Sequence, residues 1–206
     1  MPELLPALAE RRARRAFEAK PVPDDVQEVL WRAVSVAPSH GNTQPTRLLV
    51  TMSPGTRDRM AEALTEGNRA WATAAPLFIA VAVNPAHAPP VKNRDGSERD
   101  LWQFNAGIAT GNLLAQATAL GLLAHPMAGF DEAVVRDIFG APPEIRVLAV
   151  LAVGYPGSPE QLPEDLQAKE TAPQRRLPLD HLVAGDRWRP ENALSAREHS
   201  GGKSTR

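Results

Sequence analysis

From Leu101 to Phe130 the chain reads LWQFNAGIATGNLLAQATALGLLAHPMAGF and carries no Lys, Arg, Asp or Glu. A run this free of charge either crosses a membrane or lies inside a protein. A spanning helix needs roughly 20 mostly apolar residues, so length alone permits the first. Gln103, Asn105, Thr110, Asn112, Gln116 and Thr118 interrupt the run at helical spacing. In lipid each would need a partner. The reading is therefore a helix from about Leu101 to Leu120, buried on nearly all sides within a soluble protein, with Gly121 as its stop. Gly107 and Gly111 stand four apart, a spacing that lets helices approach closely. Intramolecular packing and a dimer core both satisfy it.

A chain with such a helix needs other apolar elements around it, and they are present. Thr46 to Met52 and the continuous apolar run Ala75 to Val83 read as strands, as do LLAHPM and IRVLAVLAVGYPG. Glu3 to Phe17 reads as a helix, since Leu4, Leu5, Leu8 and the stem of Arg12 lie close to one face. DDVQEVLWRAVSVA has helical spacing and an acidic first turn, and stops before Pro38. Ser53-Pro54 opens a helix to about Leu64. Asp131 caps one through Phe139, with Phe130 and Val135 placed as a hydrophobic staple and Gly140 closing it. Asn84 to Asp100 reads as a long loop, and Pro156 to Pro178 as extended. The total is a mixed α/β or α+β domain of about four strands and five helices.

Composition narrows the chemistry. The chain has 206 residues and a net charge of -1. That length suits one domain, at most two, and the charge balance argues against a dedicated nucleic-acid binder. There is no cysteine, which removes disulfides, thiolate metal sites and catalytic thiols together. Redox chemistry would need an organic cofactor. The five histidines show no metal-ligand spacing, and no GxGxxG, P-loop or GxSxG motif occurs. The N-terminal MPELLPALAERRARR lacks an apolar signal core, so a cytoplasmic location is expected.

Three polar clusters stand out. In RRARRAF, four arginines crowd into five positions. On a helix Arg11 and Arg15 share a face, and their guanidinium groups suit a phosphate; a solvated basic face near a helix C-terminus is the plainer reading. APSHGNTQP sets Ser39, His40, Asn42, Thr43 and Gln44 between two prolines. It is either a hydrophilic connection or a ligand loop, with the Asn42 and Gln44 amides suited to a heterocycle edge. QRRLPL is a second basic cluster or part of a solvated tail.

Taken in order, ERRARRAF, APSHGNTQP, NLLAQATALGL, AGFDEAVVRDIFG, VLAVLAVGYPG and RRLPL closely resemble the nitroreductase family of FMN-dependent oxidoreductases, over about Glu3 to Val183. The resemblance implies an α+β nitroreductase-like fold. It has a central mixed or antiparallel sheet of four or five strands surrounded by helices, a long buried central helix, and a homodimer with FMN at the interface. Residues 1–184 would form the FMN-binding domain and 185–206 a disordered polar tail.

By the same resemblance, Arg11, Arg12 and Arg15 hold the FMN phosphate and reach the ring. Ala13 stands where the family usually has Ser or Thr, and Thr46 where an aromatic residue is common. Pro38, Ser39, His40 and Asn42 contact the flavin, partly from the partner subunit, with Gln44 just beyond. Pro126, Met127, Ala128 and Gly129 lie behind the ring, the Ala128 N–H meeting its hydride-accepting nitrogen. Arg175 and Arg176 reach the phosphate. The implied activity is ping-pong hydride transfer from NADH or NADPH through FMN to an electron-poor small-molecule acceptor such as a nitroaromatic or quinone, with no protein acid or base. Trp71, Trp102 and Phe104 are candidate wall residues, with core packing the plainer reading for at least one. A specialised flavin dehydrogenase or dehalogenase-like member of the same fold is the enzymatic alternative. A binding protein for an acidic partner is the non-enzymatic one.

Overall fold

The structure, a computed structural model, describes residues 3–196; the end of the expected disordered tail, 197–206, lies outside them. The chain divides into two compact units at residue 170. In the first unit and its continuation, elements run α1 (Pro6–Ala9), α2 (Asp24–Ser35), β1 (Thr46–Val50), α3 (Pro54–Ala63), α4 (Glu66–Ala72), β2 (Leu77–Val83), β3 (Val91–Lys92), β4 (Glu98–Arg99), α5 (Trp102–Ala119), β5 (Leu123–Met127), α6 (Glu132–Ile138), β6 (Arg146–Gly154) and α7 (Glu164–Thr171). The second unit holds α8 (Leu179–Leu182) and a 3₁₀ turn, Pro190–Ala193.

β1, β2, β6 and β5 form one antiparallel sheet in that order. All seven residues of β2 are buried. Alternate side chains feed two apolar layers. Phe78, Ala80 and Ala82 point into a layer with Met60, Trp71 and Val135 from α3, α4 and α6. Leu77, Ile79, Val81 and Val83 point into the other, with Leu30 of α2 and Ala106, Leu113 and Ala117 of α5. The sheet is thus covered on both faces. A bulge at Val81/Ala82 shifts the β2–β6 register. Pro126, which lacks an N–H, sits on the edge strand β5, where the sheet tolerates it.

Caps expected from sequence form as written. Ser53 Oγ accepts from the Thr56 N–H at 3.2 Å with Pro54 at the first helical position. Asp131 accepts from the Ala133 and Val134 N–H groups, and Phe130 and Val135 share one apolar layer. Gly121 and Gly140 take φ of 71° and 61°, the left-handed stops of α5 and α6.

Four expectations are corrected. The Glu3–Phe17 helix is only Pro6–Ala9. Arg12 Nη1 donates to the Ala9 carbonyl at 2.7 Å and closes it, and the backbone beyond finds partners elsewhere. The α5 helix is not buried on nearly all sides within one chain. Its buried stripe is Asn105, Ala106, Ala109, Leu113 and Ala117, while Phe104 is 65% exposed and a Cβ on Gly107 or Gly111 would meet nothing within 4 Å. The Asn84–Asp100 loop contains the β3–β4 hairpin. Residues expected to be extended after Pro156 form α7, and α4 was unforeseen. Both helices are short and carry weak apolar periodicity, so local sequence says little about them.

Glu132 ties α6 to the sheet. Its carboxylate accepts from Arg146 Nε at 2.9 Å and from the Val147 N–H at 3.0 Å. The Arg146 hydrogen bond is the main force holding its carboxyl below the ordinary value. The unfolded chain therefore takes up this proton at higher pH than the folded one. The stabilisation is present above the ordinary carboxylate range and is lost as pH falls through the folded value. Glu132→Gln is expected to melt below wild type at pH 7, with the gap closing below about pH 4 in a thermal-melt series.

Candidate functional site

The arginine segment (the arginine strand below) is not a helical face: residues 11–16 are in no helix, and the next residue, Phe17, makes an isolated bridge with Pro156. Glu170, whose side chain is 1% exposed, accepts the Arg15 N–H at 2.8 and 2.9 Å and the Ala16 N–H at 3.1 Å. His125 Nδ1 donates to the Arg14 carbonyl at 2.9 Å. Ala16 and Glu18 bond the 155–157 backbone, the Gly157 N–H reaching Ala16 at 2.9 Å and the Glu18 N–H reaching Tyr155 at 3.0 Å. These bonds consume the N–H and C=O groups a helix would need. Arg11 and Arg15 are therefore not stacked on one face. Four residues of extended chain separate their Cα atoms by up to about 13 Å.

The Arg15 guanidinium lies 5.8 Å from the Trp71 ring centroid and 4.0 Å from Glu170 Oε2. Trp71 is buried and meets Phe17 at 6.3 Å and the His125 ring at 4.5 Å. Of the candidate wall residues, then, Trp71 is core. Trp102 is half-buried beside Arg146, and Phe104 is exposed. Arg12 folds back on the chain, Nη1 reaching the Arg11 carbonyl at 2.9 Å. Ala13 and Arg14 are exposed.

Pro126 to Gly129 follow His125 directly, so the arginine strand and this segment adjoin on β5. Gly129 is fixed from below: its carbonyl accepts from the Thr65 N–H at 3.0 Å and Asn68 Nδ2 at 3.0 Å. A Cβ there would sit 2.5 Å from Thr65 Oγ1 and 2.8 Å from Asn68 Nδ2. Any larger residue there would have to displace the Thr65 and Asn68 side chains that hold this carbonyl. Met127 points into the core, and Ala128 is exposed.

The Pro38–Gln44 loop stands elsewhere. It enters β1, at the far edge of the sheet from β5. Three strand spacings of about 4.8 Å put these edges roughly 14 Å apart. The faces differ too. Ala16, Phe17 and Trp71 belong to the α3/α4/α6 layer, whereas the loop is anchored to α5 by the His40 N–H on Asn105 Oδ1 at 3.1 Å. The loop is tightly specified. Ser39 Oγ accepts the Gln44 N–H at 2.9 Å, and Gln44 Nε2 donates to Asn42 Oδ1 at 2.9 Å. Gly41, Asn42 and Gln44 have φ of 56°, 54° and 45°, and a left-handed Gln costs roughly 1–2 kcal/mol. Asn105 Nδ2 and Thr43 Oγ1 are buried and meet no protein partner. Strain and orphaned polar atoms together mark functional loops. Trp31, Pro38, Ser39, Gln44, Leu48 and Asn105 line a cavity of about 470 Å³ beside it.

The structure thus ties the arginine segment to β5 through His125, the residue before Pro126, and sets Pro38–Gln44 at the other edge of the sheet. Arg175 and Arg176 lie in the second unit. Both are exposed, and Arg176 Nη1 donates to the Arg175 carbonyl at 2.7 Å. Sequence reasoning missed Glu170, His125 and Asn105. Asn105 was visible as a polar break in an uncharged helix. Glu170 is 155 positions from its partner and carries no local signal. Among the described residues no group of three or more His, Asp or Glu is placed to hold a metal, and no helix is long and apolar enough to cross a membrane.

Residues 8–70 and 62–155 match the Nitroreductase family. The chain belongs to the nitroreductase family. A Streptomyces coelicolor protein carrying the name NADH dehydrogenase/NAD(P)H nitroreductase is 30% identical over 162 residues, 72% of this chain and 80% of that protein. A Thermus thermophilus NADH dehydrogenase is 29% identical over 209 residues, covering 89% and 94%. A solved structure of an oxidoreductase containing FMN superposes with a TM-score of 0.79 at 28% identity, covering 91% of this chain and 93% of that one. A nitroreductase family protein of Clostridium difficile gives 0.70 at 25% identity, covering 90% and 100%. The four-stranded antiparallel sheet flanked by helices thus belongs to a fold this chain shares with those structures.

Burial is the main force lowering the His125 pKa from its ordinary 6.5; the Arg14 carbonyl opposes it, and the charges of Arg15 and Arg11 reinforce it. The folded protein therefore resists a proton that the unfolded chain accepts. Stability is full above the unfolded value and falls as pH drops below about 6.5. His125→Phe, which keeps a ring against Trp71, is expected to lose that dependence. The melting-temperature gap between the two proteins should narrow from pH 7.5 to 5.5.

Proposed function

We infer that this nitroreductase-family chain is an FMN-dependent NAD(P)H oxidoreductase reducing an electron-poor small molecule, and that it works as a homodimer whose flavin sites are shared between subunits. One observation carries the reading: an arginine strand and a glycine-pinned segment adjoin on β5, and the strained loop that would complete the site stands at the opposite edge and face of the same sheet. A second copy can supply the missing half. The open side of α5 supports this. Gly107 and Gly111 are uncovered there, and Phe104, Leu5 and Val36 are exposed apolar residues in the same chain. Patches of this kind mark interaction surfaces.

The residues suit the flavin. A dianionic phosphate needs cations, and the strand offers Arg11 and Arg12 for it. The non-helical geometry sends Arg15 to a different part of the ligand, against β5, where its cation would hold the pyrimidine end of the ring and offset negative charge gathering there. Pro126 to Gly129 would back the ring. Asn42 and Gln44 would meet its polar edge from the other subunit, and the orphaned Asn105 donor lies behind them. When bound, FMN would supply the two-electron hydride chemistry between NAD(P)H and the acceptor. The chain supplies position and charge and needs no nucleophile of its own.

Purified protein is expected to carry about one FMN per subunit and to lose its yellow absorbance on anaerobic addition of NADH or NADPH. A colourless protein that FMN cannot reconstitute would overturn the reading. The division of the arginines is tested separately, by fluorescence titration with FMN and with riboflavin, which lacks the phosphate. Arg11→Ala should weaken FMN by roughly 2–4 kcal/mol, the scale for truncating one partner of a buried charge pair, and leave riboflavin nearly unchanged. Arg15→Ala should weaken both ligands. Arg14→Ala should cost under about 1 kcal/mol with either.

A further inference from the structure

Among the described residues Glu170 is the one buried acidic side chain. Its side chain is 1% exposed, and a buried carboxylate is retained only when its lone pairs are filled. Here they are filled by one short stretch of backbone: the Arg15 N–H shared between Oε1 and Oε2 at 2.8 and 2.9 Å, and the Ala16 N–H on Oε1 at 3.1 Å. Two successive N–H groups converging on a carboxylate form an anion cradle, here filled from within the chain. Its one ion pair in the described residues is with the side chain of the same residue, at 4.0 Å. Apart from the Ala16 N–H, these contacts converge on Arg15, and the long separation makes Glu170 a tether between α7 and the arginine strand.

We propose that Glu170 is a positioning residue of the flavin site: its carboxylate fixes the Arg15 backbone and faces the Arg15 guanidinium, and so sets where that cation stands. This rests on the flavin reading above. The geometry separates the two functions of Arg15. Its backbone is locked by Glu170, its guanidinium is laid along Trp71 at 5.8 Å, and the next residues, Ala16 and Phe17, are core. A cation held at its Cα and along its stem loses less freedom on meeting a ligand. At 4.0 Å, beyond direct hydrogen-bond distance, Glu170 keeps the guanidinium oriented without filling its donors. Glu170 thus acts through Arg15 and touches no ligand itself.

A plain staple of α7 would show the same contacts, so the test must separate the two. Flavin affinity is measured by FMN fluorescence quenching for wild type, Arg15→Ala, Glu170→Gln and the double variant. Glutamine keeps one acceptor oxygen but sets an NH2 group where Oε2 accepted the Arg15 N–H. Glu170→Gln is expected to weaken FMN about tenfold in the wild-type background and less than about twofold when Arg15 is already alanine, the non-additivity of residues acting through one another. Glu170→Asp, which keeps the charge on a shorter stem, serves the same cycle if the glutamine variant melts below the assay temperature. It is expected to show a smaller loss with the same coupling. Equal losses in both backgrounds, or none in wild type, would overturn the proposal and leave Glu170 a staple. A wild-type protein that takes up no flavin would overturn the function reading and this inference with it.

Discussion

The burial of β2 on both faces is the constraint from which the rest of the molecule follows. A strand with all seven residues buried must be internal and must be covered above and below. Its neighbours β1 and β6 supply the pairing, α2 and α5 one cover, and α3, α4 and α6 the other. The small residues Ala80 and Ala82 on one side let Trp71 and Met60 approach. The branched residues Ile79, Val81 and Val83 on the other meet the alanine and leucine stripe of α5. With only four strands in the sheet, β1 and β5 become edges. Whatever is attached to β1 is then separated from whatever is attached to β5, by about 14 Å and by the thickness of a layer.

That separation turns an electrostatic problem into a functional design. Arg11, Arg12, Arg14 and Arg15 repel one another wherever they are packed closely. A non-helical backbone keeps them off one helical face, and Glu170 and His125 hold it so by taking the N–H and C=O groups of Arg15, Ala16 and Arg14. Hydrogen bonds to a charged group contribute about 1.5–3 kcal/mol each, enough to overrule the modest helical preference of an alanine–arginine sequence. The strained Pro38–Gln44 loop is held in the same manner, by Asn105 and by its own Ser39, Asn42 and Gln44 bonds. Both segments are thus held by the chain's own hydrogen bonds, which would keep the ordering cost of binding a ligand small.

The fold was legible wherever a local signal and the tertiary demand agreed. Ser53-Pro54, Asp131, Gly121 and Gly140 mark helix ends by chemistry confined to a few residues. The β2 run reads as a buried strand because seven apolar residues in a row, too few for a typical helix and rich in β-branched side chains, suit a strand covered on both faces. RRARRAF was legible as a cation cluster and misread as a helix, because the groups that unwind it lie at His125 and Glu170, far along the chain. The open side of α5 was misread for the opposite reason. An uncharged helix says that its surface avoids water, not whether its own chain or another covers it. The residues of the arginine strand, the loop and the 126–129 segment could be singled out from sequence. Their division between two edges of one sheet could not, because strand order is a property of the fold.

The central claim is that one flavin site takes its arginine strand from one chain and its Asn42/Gln44 loop from the other. A mixed dimer tests it most directly. One chain carries Arg11→Ala with Arg15→Ala, and the other carries Asn42→Ala with Gln44→Ala, each with a different affinity tag so that only the mixed species is collected. Each variant alone should bind no FMN. Sites shared between chains put both defects into one of the two sites and leave the other intact, so the mixed dimer should hold about one FMN. A site built within a single chain leaves every site defective, and a mixed dimer without flavin would contradict the account.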